Sequence, residues 1–90
     1  MITPIIHVID DEQSIRDGIT MTLTPAYPVE TFGNAEEALT AIGEYPPDLI
    51  LLDIGLPGMS GIEALHRIRK EYPDVLVIMI TAYEDSRTII

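Results

Sequence analysis

A chain of 90 residues carries one domain, and its 47% of apolar residues suffice for a core, although a domain this small holds little stability in reserve. Fifteen acidic against five basic residues give a formal charge of -10, which disfavours direct nucleic-acid binding and suits a protein that gathers divalent cations or meets a basic partner. The chain has no cysteine, which excludes disulfides and thiolate-bound zinc, and no apolar run approaches the length of a membrane span or of a signal peptide behind a basic region.

In chain order, Ile5-Ile6-His7-Val8-Ile9 is a short, branched, nearly continuous apolar run, the pattern of a strand covered on both faces of a parallel sheet. It leads into Asp10-Asp11-Glu12. Ile15, Gly18, Ile19, Thr22 and Leu23 then recur at helical spacing. Val29–Phe32, between Pro28 and Gly33, reads as a weaker strand. Ala35, Ala38, Leu39 and Ile42 form a second helical stripe, with Asn34 as N-cap and Glu37 at capping-box spacing; Pro46-Pro47 stops it. Leu49-Ile50-Leu51-Leu52 is a third strand that ends in Asp53 and opens into the turn Gly55-Leu56-Pro57-Gly58-Met59-Ser60-Gly61. Ile62, Leu65 and Ile68 make a third stripe, with Arg67, Arg69 and Lys70 where cations complement a helix C-terminus, and Pro73 stops it. Val75–Ile80 is a fourth strand, followed by Thr81 and the start of another helix near Asp85.

Strands alternating with helices define an α/β fold with a doubly wound parallel sheet. Ligands of such sheets bind beyond the carboxyl ends of the strands, where neighbouring connections diverge. In the order 2-1-3-4, Asp10, Asp11 and Asp53 converge on one crevice, with Thr81 on the adjoining strand. Each residue has a structural reading by itself: an aspartate pair caps a helix, a strand-ending aspartate makes a turn, and Thr81 with Glu84 makes a capping box. Three carboxylates in one crevice either raise a pKa or hold a cation. Oxygen-only ligation points to Mg²⁺, or to Mn²⁺, rather than zinc. Magnesium commonly shares a substrate phosphate, which leaves Asp53 as the candidate nucleophile on phosphorus.

The hydrophobic strand into Asp10-Asp11-Glu12, the segment Asp48–Asp53, Leu56-Pro57-Gly58-Met59-Ser60-Gly61 and Val77-Ile78-Met79-Ile80-Thr81-Ala82-Tyr83 together resemble the receiver domains of response regulators, whose sheet is CheY-like or flavodoxin-like. The resemblance covers essentially all of 1–90, as one receiver domain. It implies that Asp53 accepts a phosphoryl group from a sensor histidine kinase. It also implies that Asp11 ligates Mg²⁺ directly, Asp10 largely through water, and Gly55 through its backbone carbonyl. Thr81 would be the switch residue that turns its hydroxyl onto the phosphoryl group. Glu12, Pro57, Ala82 and Tyr83 flank the site, and the side chains at Gly55 and Tyr83 influence how water reaches the acyl phosphate. A cytoplasmic location, an output domain in the parent chain with transcriptional control as its output, and a phosphoacceptor that is not an enzyme in the usual sense complete the implication.

The receiver pattern continues through a fifth strand and helix, which carry a lysine and an aromatic residue. The fifth βα unit is missing from this sequence, and Lys70, its only lysine, lies late in the third helix. The fourth strand is then expected to expose an edge, with dimerisation, strand exchange or poor stability as the consequence. His7 reads as a packed histidine, His66 as solvated, and Met21, Met59 and Met79 as packing or turn residues. Two other functions compete: an interaction module independent of phosphorylation, with a vestigial acid pocket, and an aspartyl-phosphate phosphohydrolase. The latter wants a second acid two residues after its nucleophile, where this chain has Gly55.

Overall fold

The structure, a computed structural model, describes residues 3–80. Within them the chain runs β1 (Ile6–Ile9), α1 (Gln13–Leu23), β2 (Val29–Phe32), α2 (Ala35–Glu44), β3 (Leu49–Asp53), α3 (Gly61–Glu71) and β4 (Leu76–Ile80). The strands form one sheet in the order β2-β1-β3-β4, and every neighbouring pair is parallel. The expected α/β order is the observed one. Thr81, Ala82, Tyr83 and the helix expected near Asp85 lie outside the described residues.

Side chains alternate across a strand, so Ile50 and Leu52 face one side of the sheet and Leu51 the other. The main core forms on the Ile50 side. Ile9, Ile50 and Leu52 pack there with Ala35, Ala38 and Ile42 of α2 and Ala64 and Ile68 of α3. The alanines let both helices approach the sheet closely. Helix α1 lies on the opposite side, where Ile15, Ile19 and Leu23 line a groove with Leu51.

Two caps follow from local chemistry. Asn34 Oδ1 accepts from the Glu37 N–H at 2.8 Å, and Asn34 Nδ2 donates to Glu37 Oε2 at 3.0 Å, a side-chain variant of the expected capping box. Ser60 Oγ accepts from the Glu63 N–H at 3.2 Å and starts α3 directly after the glycine turn. Glu12 occupies the N-cap of α1 without a side-chain capping bond.

Three expectations need correction. Ile62 is exposed, and the buried positions of α3 are Gly61, Ala64 and Ile68: the helix is rotated so that its small residues meet the sheet. Helix α1 has no fully buried residue, and among the described residues β4 is covered on one side only, with Leu76 69% and Ile78 51% exposed. Met21 is exposed rather than packed, whereas Met59 and Met79 do pack against the core.

Candidate functional site

Register brings the acids together. Ile9 lies opposite Leu52, so the next residues, Asp10 and Asp53, emerge side by side at the carboxyl ends of β1 and β3. These strands are also where the connections diverge, since β1 leads through α1 to β2 and β3 leads through α3 to β4. One carboxylate oxygen from each of Asp10, Asp11 and Asp53 lies within 4.8 Å of the other two.

Two of the three acids are out of water, Asp10 at 2% and Asp53 at 8% exposure, while Asp11 is exposed. Burial raises the Asp53 pKa above the ordinary carboxylate range, and the charges of Asp10 and Asp11 add to the rise; the N–H groups of Gly55 and Ile54 oppose it. Asp10 is raised for the same first reason. The Glu12 N–H is the leading opposing influence there, with the Arg16 charge a smaller one.

Hydrogen bonds orient both groups. Asp53 Oδ1 accepts from the Gly55 N–H at 3.3 Å, and Asp10 Oδ1 accepts from the Glu12 N–H at 2.9 Å. Asp10 thus makes a turn and not the helix cap expected of an aspartate pair, Asp53 makes the turn expected of a strand-ending aspartate, and both join the acid cluster. Behind Asp53 the backbone is close-packed. A Cβ on Gly61 would overlap the Asp53 carbonyl and stand 2.7 Å from Ile54 Cα, so only glycine lets α3 begin there. Gly58 has φ of 69°, the left-handed region that favours glycine, whereas Gly55 has open space around its Cβ position. Glu36, in the first turn of α2, holds this loop from the side, its Oε2 accepting from the Met59 N–H at 3.1 Å.

The donors fit a hard cation. Oxygens opposite one another around Mg²⁺ stand about 4.2 Å apart, given bonds of about 2.1 Å. A spread of at most 4.8 Å is thus closed by a small side-chain rotation or one water. Asp10 and Asp53 each give one oxygen to a backbone N–H, that of Glu12 and that of Gly55. No histidine reaches the cluster: His66 is exposed on α3, and His7 is buried in β1, with Nε2 3.2 Å from Glu30 Oε2 and its ring 5.1 Å from that of Phe32.

Two residues escaped the sequence reading. Gly61 looks like one more turn glycine until its distance from Asp53 is known. Arg16 sits one helical turn into α1, where i+6 from Asp10 is legible but contact with the Asp10 carbonyl is not; Nη1 donates to that oxygen at 2.6 Å.

The model of the response regulator receiver domain matches residues 6–90, and the chain belongs to that family. Among curated relatives, the DNA-binding transcriptional regulator NtrC of Salmonella typhimurium is 39% identical over 82 residues, which cover 90% of this chain and 18% of NtrC. The response regulator GacA of Pseudomonas viridiflava is 35% identical, with 88% and 38% covered. The crystal structure of the N-terminal domain of a response regulator receiver protein from Methanoculleus marisnigri superposes with a TM-score of 0.81 at 37% identity, covering 89% of this chain and 68% of that one. The chain thus spans less than half the length of these curated relatives.

Proposed function

We propose that this chain is the phosphoacceptor part of a two-component response regulator and that Asp53 is the phosphorylated residue. The observation that carries the reading is the meeting of the Asp10, Asp11 and Asp53 oxygens at the divergence of β1 and β3 in a receiver-family chain. A carboxylate oxygen of Asp53 attacks the phosphorus of a phosphohistidine on a sensor histidine kinase. The O–P bond forms as the N–P bond breaks, and the leaving imidazole nitrogen keeps the electron pair and takes up a proton. The product is an acyl phosphate on Asp53.

Bound Mg²⁺, or Mn²⁺, supplies positive charge to the transferring phosphoryl oxygens. Asp11 and Asp53 would hold it directly and Asp10 through water, and the Gly55 carbonyl would complete the protein's share. Asp53 is the nucleophile because the Gly55 N–H leaves one of its oxygens free and because its burial excludes competing water. Thr81 is assigned the switch role that hands phosphorylation on to an output domain, with transcriptional control as the output; Glu12, Pro57, Ala82 and Tyr83 flank the site. The chain assists its own phosphorylation and turns over no separate substrate, so it is not an enzyme in the ordinary sense. A cytoplasmic place goes with this reading as the general expectation for response regulators. Self-association with a second copy is part of this reading, supported by the exposed Leu76 and Ile78 of β4.

The test is mass spectrometry after incubation with Mg²⁺ and acetyl phosphate or phosphoramidate. One added phosphoryl group is expected, and none in Asp53→Asn. An unmodified chain that still captures its kinase would instead support an interaction module, and rapid turnover of phosphate esters a phosphohydrolase.

A further inference from the structure

Arg16 is the one basic side chain that hydrogen-bonds at the acid cluster among the described residues. Its guanidinium is half-buried and lies where three elements meet. Nη1 donates to the carbonyl oxygen of Asp10 at 2.6 Å, at the end of β1. Nη2 donates to Gln13 Oε1 at 2.6 Å, in the first turn of its own helix. Gly33, just past β2, borders it: a Cβ there would stand 3.4 Å from Nη1, an ordinary contact. The same corner is closed on the backbone, where the Asp10 N–H donates to the Phe32 carbonyl at 3.0 Å. Asp10 is thereby held at its N–H, its carbonyl and its carboxylate, the last by the Glu12 N–H.

We infer that Arg16 is a positioning residue that clamps the main-chain carbonyl of Asp10 and so aims the Asp10–Asp11 carboxylate pair at Asp53. The inference rests on the proposed cation site. A planar guanidinium presents several donors in a fixed fork, so one side chain ties the carbonyl of β1 to the start of α1 at the same time. Without it, Asp10 keeps the Glu12 turn bond and its N–H bond to Phe32 but loses the contact on its carbonyl, and the N-cap of α1 makes no side-chain bond to replace it.

The sign of one measurement separates this role from a purely electrostatic one. A nearby cation repels Mg²⁺, so if Arg16 acted only through its charge, removing it would tighten Mg²⁺ binding. Loss of a positioning contact weakens binding, by about 10-fold or more where an outer partner of a ligand is removed. Titration calorimetry with MgCl₂ on the unsubstituted chain, Arg16→Ala and Arg16→Lys is expected to show weaker binding for R16A and recovery of most of the affinity by R16K, which restores the charge and one donor. Equal or tighter binding by R16A overturns the inference. Amide exchange in the metal-free chain gives a second readout: the Glu12 N–H should exchange about 10-fold faster in R16A, as for the loss of one charge-assisted hydrogen bond, while Val8 and Leu51 keep their protection. Unchanged Glu12 exchange, or protection lost throughout β1 and β3, also overturns it. If the unsubstituted chain takes up no Mg²⁺, the proposed function fails, and the Glu12 amide alone decides the role of Arg16.

Discussion

The metal-free fold raises the pKa of Asp10 and of Asp53, because burial removes water from the charge and neighbouring acids add to the rise. A raised pKa in the folded state contributes stability that is fully present below the unfolded value, about 3.9, and is lost as pH rises through the folded value. His7 works in the opposite sense. Burial lowers its pKa despite Glu30, so its neutral form belongs to the fold and its contribution is lost as pH falls below about 6.5. In chelator at pH 7, Asp53→Asn is therefore expected to be more stable than the unsubstituted chain by about 1 kcal/mol, a Tm rise of about 4–8 °C. The difference should fade below about pH 4, where both forms are neutral. Saturating Mg²⁺ should raise the Tm of the unsubstituted chain and that of Asp53→Asn much less. A scanning-calorimetry series in which Asp53→Asn is no more stable at pH 7 would remove the electrostatic account.

Among the elements, the helices that flank the acid crevice are begun by different means. Asn34 and Ser60 each accept a backbone N–H and fix where α2 and α3 start, while Glu12 starts α1 without one. Asn34→Ala and Ser60→Ala should each cost about 1 kcal/mol in urea denaturation, and Glu12→Ala only a few tenths. Equal losses at all three positions would mean that the caps are not what starts these helices. Ser60 also stands at the end of the loop that carries Gly55, so its cap links helix formation to the site. Gly61 beside it shows the same coupling sterically, since α3 reaches Asp53 only because that residue lacks a side chain.

For the whole molecule, the two sides of the sheet are unequally covered. Helices α2 and α3 bury the Ile50–Leu52 side, while among the described residues α1 alone serves the other and lies over the β1–β2 half. Leu76 and Ile78 of β4 are left in solvent on that side. An edge strand with exposed apolar residues is a template for another strand. The chain is expected to show concentration-dependent mass by sedimentation velocity, and Ile78→Lys to return it to monomer with a stability change within about 0.5 kcal/mol. A monomer at millimolar concentration without the substitution would count against pairing through β4.

Local pattern alone determined the seven elements, because a strand buried in a parallel sheet is a short branched run and a packed helix repeats every three or four residues. It determined the acids too, since Asp10, Asp11 and Asp53 stand directly after β1 or at the end of β3, and the rules of winding bring those ends together. What only the tertiary structure decided depends on distances between elements far apart in the chain. Rotation of α3 buried Gly61, Ala64 and Ile68 and turned Ile62 outward. His7 found Glu30 across the β1–β2 register, and Arg16 found the Asp10 carbonyl across a turn. Composition and periodicity say which side chains want burial or charge partners; they do not carry the angle at which one element meets the next, and that angle chose the partners.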